Sequence, residues 1–286
     1  MNDINRHSNN QINVPDPVDI YMRYLALEDE NKLAARAKLN KKKYSASSAG
    51  LCYRKHWYDY NNYPRISKDI TFKEDREDMR KMRLGTVMGR DFDDAMQWFI
   101  DENLKAQIPN NNIEIYYETA VSHENLNING HFDLLIVVET VDGPNLVKQG
   151  YLYDYKTAHS WKFRNLSKPH LDNNPSNNYE YQLGTYAFMI EDSNEFCDEI
   201  VHMENIYINK DDSKICRREA GSQFKEWAKK YWMSVNKYQE RSEPPEFSMG
   251  DQGRAPYQKW ECQHRYCNWA DSCPSPYMKE NKKRIK

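Results

Sequence analysis

The feature that most constrains the fold is a set of three strand-like runs in the middle of the chain. Residues 113–121 are rich in β-branched residues and tyrosine, residues 126–138 contain an uninterrupted apolar stretch, and residues 147–156 return after a turn at Asp142-Gly143. Such runs, separated by turn residues, indicate antiparallel strands. The continuous apolar run predicts burial of both faces of the middle strand. We therefore expect an antiparallel meander whose middle strand is covered on both sides.

Helical patterns and one further strand flank this meander. Apolar side chains recur at helical spacing in several segments, and residues 200–208 alternate as a strand does. The predicted helices cover residues 17–40, 52–60, 79–104, 179–190 and 222–240. Residues 61–76 and 165–178 are expected to be loops. This order of elements predicts an α/β fold with a mixed β-sheet flanked by helices.

Composition excludes several classes of protein. The mean hydropathy is −1.01, and no apolar run is long enough to span a membrane. The first residues lack the basic-then-apolar order of a secretory signal, so a cytoplasmic location is expected. A formal net charge of −2 gives the whole molecule little attraction to a polyanion. Contact with nucleic acid would therefore need local basic patches.

Three such patches are present, although each is also typical of a solvated surface. They are Lys41-Lys42-Lys43 with Arg54 and Lys55, the pair Lys81 and Arg83, and the tail Lys282-Lys283-Arg284-Ile285-Lys286.

Two aspartates and a lysine are predicted to converge at one edge of the sheet. Asp133 begins the apolar run of the middle strand, and Asp154 and Lys156 lie near the end of the third strand. Residues two apart in a strand project to the same face, and the turn folds the Asp133 strand back beside them. Paired carboxylates bind Mg²⁺ or Mn²⁺ through hard oxygen ligands, and a lysine stabilises developing negative charge. These residue types suit metal-assisted phosphodiester hydrolysis, although Asp-x-Lys alone is also a common surface pattern.

Three short motifs occur in order around these residues. They are Gly130-His131-Phe132-Asp133, Tyr153-Asp154-Tyr155-Lys156-Thr157 and Gln182-Leu183-Gly184-Thr185-Tyr186. Each motif is weak by itself, but their combination resembles the RecB-like branch of the PD-(D/E)xK nucleases over roughly residues 44–275. The resemblance implies a restriction-endonuclease-like sheet.

The resemblance also implies a role for each matching residue. The implied catalytic set is Asp133, Asp154, Lys156, Gln182 and Tyr186. The implied metal ligands are Asp93, Asp133, Asp154 and Tyr155. In this family the glutamine and the tyrosine orient the site and contact DNA. Without the family, Gln182 and Tyr186 are simply neighbours on one helix face.

The helix before the sheet departs from the family pattern. The family's Gly-Thr-x-x-His motif corresponds to Gly85-Thr86-Val87-Met88-Gly89, so a glycine stands where the family has a histidine ligand. Gly85, Gly89 and Asp93 share one helix face. We expect the two glycines to let this face approach the sheet, so that Asp93 reaches the metal ions. The alternative is that Asp93 and Asp94 form an ordinary solvated pair. Glu118 is a further candidate for the rim of the site.

Four of the six cysteines form a pattern that brackets these motifs. Cys52 precedes them, and Cys262, Cys267 and Cys273 follow in one short stretch. Four thiolates are what a [4Fe-4S] cluster requires. The split is similar to that of the iron–sulfur nucleases, which include the CRISPR-associated RecB-like exonucleases, the AddB nuclease domain and exonuclease V. The resemblance implies a cluster that staples the N- and C-terminal segments together. The alternatives are a Zn²⁺ site on the same thiolates, with or without His264, and buried unligated cysteines.

The chain is predicted to have three parts: a helical extension (1–43), the nuclease domain with its cysteine cluster (44–275) and a basic tail (276–286). The predicted function is that of a metal-dependent DNA exonuclease acting at DNA ends or on single strands in recombination, repair or phage DNA processing. The Asn- and Lys-rich composition is typical of an AT-rich genome, such as that of a phage. The alternatives are a structure-specific endonuclease on the same core, a catalytically inactive DNA-binding or assembly subunit, and a redox iron–sulfur protein. Cys197 and Cys216 are expected to be unligated thiols.

Overall fold

The computed structural model describes residues 17–38, 43–66, 73–102, 113–142, 145–166, 177–246, 262 and 266–273. The elements, in chain order, are α1 (Pro17–Lys38), β1 (Tyr44–Ser45), α2 (Tyr53–Tyr60), α3 (Lys73–Asp101), β2 (Ile113–His123), β3 (Ile128–Asp142), β4 (Asn145–Ala158), α4 (Ser160–Leu166), α5 (Asn177–Ser193), β5 (Glu199–Asn209), β6 (Ile215–Glu219) and α6 (Gln223–Gln239).

The strands form one mixed sheet, as predicted. β2, β3 and β4 make the expected antiparallel meander, β5 joins β4 in parallel, and β6 joins β5 antiparallel. The two-residue strand β1 pairs in parallel with the beginning of β3. Leu134 and Leu135 point to opposite faces of β3, and both are buried. The middle strand is therefore covered on both sides.

Some elements were missed. β1, β6 and α4 were not predicted, because two, five and seven residues are too short to give a clear periodic pattern. α3 begins at Lys73, inside a segment expected to be a loop. Its first turns are nearly all charged, and an i,i+4 pair joins Lys81 to Glu77 at 3.7 Å. Such pairs support a helix that hydrophobic periodicity does not reveal.

The main core lies between the sheet and the pair of helices α5 and α6. Leu135 and Leu152 of the sheet are fully buried in the same cluster as Leu183 of α5 and Trp232 of α6. α5 and α6 cross very closely at Gly184, where an added Cβ would lie 2.2 Å from the carbonyl oxygen of Phe224. The position of α5 on the sheet is thus fixed by its neighbour.

The chain divides into two compact units. One comprises residues 1–40, 68–82 and 284–286, and the other residues 41–67 and 83–283. In the first, Met22 and Leu25 of α1 are buried with Met79 of α3. The boundaries predicted from the sequence stay predictions, and the basic tail lies outside the described residues. No helix in the described part of the chain is long and apolar enough to cross a membrane.

Candidate active site

The site lies where strands β3 and β4 separate. Their ladder runs from Asp142 to the pair Leu134 and Tyr153, and Asp133 and Asp154 are the next residues on either side. Beyond this point a side chain replaces the backbone as hydrogen-bond acceptor, because Asp133 Oδ2 accepts a hydrogen bond of 2.6 Å from the Tyr155 amide. The two predicted aspartates therefore face each other at the splayed end of the ladder.

Asp154 and Lys156 project together, as predicted. The Lys156 ammonium forms an ion pair with Asp154 Oδ2. Gln182 Nε2 donates to the other oxygen, Oδ1, at 3.1 Å, and is 3.4 Å from the Tyr186 hydroxyl. Burial raises the pKa of Asp154, although Lys156 acts in the opposite direction. Burial also opposes the charge of Lys156, but Asp154 and Asp133 outweigh it and raise the lysine pKa. The lysine is thus held as a cation beside the carboxylates.

The first and third motifs meet in the structure. A Cβ added to Gly130 would lie 2.8 Å from Cε1 of Tyr186, so only glycine lets β3 approach α5 this closely. Further along α5, Thr185 Oγ1 accepts a hydrogen bond of 2.8 Å from the indole of Trp232 in α6. This contact and the close α5–α6 crossing fix the helix that carries Gln182.

α3 supports the site from a different direction. The rings of Phe92 and Tyr155 stack at 3.9 Å with an angle of 15° between their planes, which holds α3 against β4. Asp93 follows Phe92, and its pKa is raised by partial burial and by the nearby charges of Asp133 and Asp94. Asp94 is exposed. The structure therefore brings Asp93 towards the predicted aspartates.

Only one of the two α3 glycines lies close to the sheet. A Cβ on Gly85 would lie 3.0 Å from Thr157 Oγ1, so α3 does approach the sheet closely there. Around Gly89, however, an added Cβ would meet nothing within 4 Å. The prediction that both glycines allow close approach is wrong for Gly89, because one tight contact and the Phe92 stack already set the distance of the helix.

Glu118 occupies a strained position opposite Asp133. The register on either side pairs Tyr117 with Leu134 and Thr119 with Phe132, so Glu118 faces Asp133 across the ladder. Its φ of 43° lies in the left-handed region, which is unfavourable for a residue with a long side chain inside a strand. Burial, Asp133 and then Asp93 raise the pKa of Glu118 to about 7. Glu118 thus joins the site as a third carboxylate near Asp93 and Asp133.

These carboxylates have the chemistry of a divalent-cation site. Asp93, Glu118, Asp133 and Asp154 supply hard oxygen donors, and their mutual repulsion is what a bound cation would relieve. As the side chains are arranged, no group of three or more His, Cys, Asp or Glu among the described residues could hold a metal ion. Binding would therefore require side-chain rotations at the splayed strands.

A family model places these features in a known context. The model of the PD-(D/E)XK nuclease superfamily matches residues 52–274. The chain belongs to this superfamily. Membership of the PD-(D/E)XK superfamily indicates a nuclease, and the mixed sheet flanked by helices agrees with its restriction-endonuclease-like fold.

Solved structures similar to this PD-(D/E)XK protein share little sequence with it. The crystal structure of SSO0001 is 14% identical, with a TM-score of 0.41, over 89% of this chain and 96% of that chain. The alkaline exonuclease LHK-Exo from Laribacter hongkongensis is 14% identical, with a TM-score of 0.35, over 74% of this chain and 92% of that chain. No curated protein matches the sequence. Membership therefore rests on the family model.

A row of buried polar side chains beside the candidate site was not predicted from the sequence. Asp154 is paired in register with Asn205 of β5, and Asn205 is paired with Arg218 of β6. Arg218 Nε is 3.3 Å from Glu180 of α5. Asn205 is fully buried, and both polar atoms of its side chain lack a hydrogen-bond partner among the described residues. The sequence did offer one indication of this row. Asn205 lies two residues after Met203 and therefore shares the buried face of β5.

The cysteines of the predicted cluster lie on segments that contact each other. Cys52 directly precedes α2, and Lys55 in that helix donates to the carbonyl of Tyr266 at 3.1 Å. Burial raises the pKa of Cys267, and nearby Cys273 and Cys262 add to the effect. Helix α2 therefore contacts the C-terminal segment, but as the described residues are arranged no three of these thiols are grouped closely enough to hold a metal ion. The joining of the two ends by a cluster stays a prediction.

The described part of the first predicted basic patch is not a surface of free cations. Arg54 is buried and donates to the carbonyl of Pro245 at 2.6 Å and to the Tyr58 hydroxyl at 3.0 Å. Its assignment to a surface patch is therefore wrong, because it ties α2 to the segment after α6. Lys43 forms an ion pair with Glu124. Lys41, Lys42, His264 and the tail lie outside the described residues.

Proposed function

We propose that this PD-(D/E)XK protein is a divalent-metal-dependent deoxyribonuclease that acts exonucleolytically at DNA ends or on single strands. The observation that carries the proposal is the convergence of Asp133, Asp154 and Lys156 at the splayed end of β3 and β4, with Gln182 bonded to Asp154. Recombination, repair or phage DNA processing are the settings in which such an activity is expected.

The roles proposed for the residues follow from this geometry. Asp133 and Asp154 would bind Mg²⁺ or Mn²⁺, with Asp93 and Tyr155 completing the ligand set. The bound cation would activate water and neutralise charge on the phosphate. Lys156, held as a cation, would orient the attacking water or stabilise the developing charge. Gln182 and Tyr186 would hold the Asp154 carboxylate in place.

The test uses end-labelled linear DNA and closed circular DNA, each with Mg²⁺, Mn²⁺ or EDTA. We expect metal-dependent degradation of the linear DNA only. Lys156→Ala, Asp133→Ala and Asp154→Ala should each lower the rate by ~10²–10⁴ or more, because a charge that stabilises the transition state is lost. Asp101→Ala, at the exposed end of α3, is the control.

Each alternative has a distinct result. Cleavage of circular DNA would instead identify an endonuclease. Specific DNA binding without cleavage under any metal would identify an inactive DNA-binding subunit. A Lys156→Ala protein that cuts at the wild-type rate would contradict the catalytic assignment.

We further propose that Cys52, Cys262, Cys267 and Cys273 bind a [4Fe-4S] cluster, with Zn²⁺ as the alternative. The donor set has the required four thiols. Two observations support this proposal. Burial, and then the nearby Cys273 and Cys262, raise the pKa of Cys267, and α2 is hydrogen-bonded to residues 266–273. The cluster would have a structural role, because ligation would join the two ends of the domain.

A further inference from the structure

An exposed tryptophan lies on the helix that directly follows the strand carrying Asp154 and Lys156. Trp161 is the second residue of α4 and follows Lys156 closely along the chain. It is 72% exposed, the highest value among the large hydrophobic side chains of the described residues. Trp57, Trp232 and Trp269, in contrast, are buried. The Trp161 indole therefore presents a large apolar surface to solvent.

The backbone that carries Trp161 is firmly anchored. The amide and the hydroxyl of Ser160 donate to Asp211 Oδ2 at 2.9 and 2.6 Å. Phe163 and Leu166, on the inner side of α4, are buried with Tyr207 of β5. The helix that carries Trp161 is therefore anchored to the rest of the domain, while the indole ring is exposed to solvent.

Positive charge lies on the same helix as Trp161 and is linked to Lys156 through Tyr179. Lys162 Nζ donates to the Tyr179 hydroxyl at 2.8 Å and lies 4.2 Å from the centroid of the same ring. Lys156 Nζ is 5.3 Å from that centroid, so one tyrosine ring contacts both ammonium groups. Arg164, exposed one turn after Trp161, adds a further cation. An exposed indole on a helix that also carries two cations matches a nucleic-acid strand, which offers bases to stack and phosphates to pair.

We propose that Trp161 is a stacking platform for an unpaired base of the DNA strand that enters the site, with Lys162 and Arg164 beside its phosphates. The inference rests on the proposed nuclease function and narrows its substrate to strands with unpaired bases near the scissile bond. It also implies that α4, not predicted from the sequence, forms one wall of the substrate path.

The test compares Trp161→Ala, Trp161→Phe and the control Leu146→Ala in the full-length protein. Leu146 is 59% exposed at the opposite end of β4. On a single-stranded oligonucleotide, Trp161→Ala should raise KM about 5- to 100-fold with kcat nearly unchanged, the size expected for loss of one base stack. Trp161→Phe should keep most of the affinity, and Leu146→Ala should match the wild type.

Two further measurements separate stacking from a general structural effect. An oligothymidylate titrated in EDTA should quench tryptophan fluorescence in the wild type, and Trp161→Phe should lose most of that quenching. On an abasic strand of the same length, Trp161→Ala should no longer differ from the wild type, because there is no base to stack. An equal KM penalty on abasic and normal strands, or a wild-type KM for Trp161→Ala, would overturn the proposal.

The same experiments distinguish failure of the nuclease proposal from failure of the stacking proposal. If the wild type binds and quenches but cuts no DNA with any metal, the nuclease proposal fails and the stacking platform stands. If the wild type cuts and Trp161→Ala has an unchanged KM, the platform fails and the nuclease stands.

Discussion

Gly130 lies against the ring of Tyr186, where an added Cβ would approach Cε1 to 2.8 Å and the Cβ of Ala46 to 2.9 Å. The two residues belong to different sequence motifs, on β3 and α5. Their contact places the helix that carries Gln182 above the strand that carries Asp133. The spacing of the site is thus set partly by the absence of a side chain.

Gly130→Ala is expected to lower the free energy of unfolding by ~1–3 kcal/mol, because a methyl group must displace a packed ring. Cleavage activity should fall as well, since Tyr186 and Gln182 shift together. Gly89→Ala is the matched control: its Cβ meets nothing within 4 Å, and alanine favours a helix by up to ~1 kcal/mol over glycine. Urea denaturation and a cleavage assay measure both effects. Equal stability losses in the two variants would contradict this account.

Asp93 and Asp94 should respond differently to mutation. Partial burial, and then the nearby charge of Asp133, raise the pKa of Asp93, while Asp94 is exposed. Adjacent residues are ~100° apart around a helix, so only one of the pair can face the site well. We expect Asp93→Ala to raise the Mg²⁺ concentration needed for half-maximal activity about tenfold or more, and Asp94→Ala to change it little. Equal effects would remove Asp93 from the ligand set.

Glu118 should make the metal-free protein less stable as pH rises. Its pKa is about 7 in the folded chain against an ordinary value of 4.5, so between these values the folded state binds the proton more tightly than the unfolded state. The contribution of Glu118 to unfolding free energy therefore falls as pH increases from about 4.5 to about 7 and stays low above that.

The variant Glu118→Gln removes this dependence. In EDTA it should be more stable than the wild type at pH 8 and should vary less between pH 5 and pH 8, as measured by urea denaturation. Glu199→Gln, at the exposed start of β5, serves as the control. Mg²⁺ should stabilise the wild type more than Glu118→Gln if Glu118 helps to hold the cation. An unchanged pH dependence in Glu118→Gln would show that other carboxylates account for it.

The cysteine proposal predicts a coloured protein. Anaerobically purified protein should absorb broadly near ~400 nm and contain about four irons per chain. Changing any of Cys52, Cys262, Cys267 and Cys273 to serine should lose the metal and destabilise the fold, because ligation energy is folding energy in such sites.

Cys197→Ser and Cys216→Ser are the controls for this experiment. Cys197 is buried in the main core and Cys216 packs beside β5, both apart from the thiols around α2. Colourless protein with one zinc per chain would favour the zinc alternative. Metal loss in either control, with retention in Cys52→Ser, would show that different thiols bind the metal.

The sequence by itself determined the elements whose signal is local. Alternation, turn residues and apolar runs predicted the β2–β3–β4 meander and the long helices α1, α5 and α6, because hydrophobic periodicity is a property of neighbouring residues. The period of a strand likewise predicted that Asp154 and Lys156 project together, and their ion pair agrees with this.

Only the tertiary structure decided which distant residues complete the site. The register of the sheet placed Glu118 opposite Asp133 and Asn205 beside Asp154. The packing of α4 left Trp161 exposed, and burial removed Arg54 from the surface. None of these follows from local periodicity, because each depends on which strand edges pair and which helix faces are covered. Those choices are made by long-range packing, where segments far apart in the chain compete for the same buried surface.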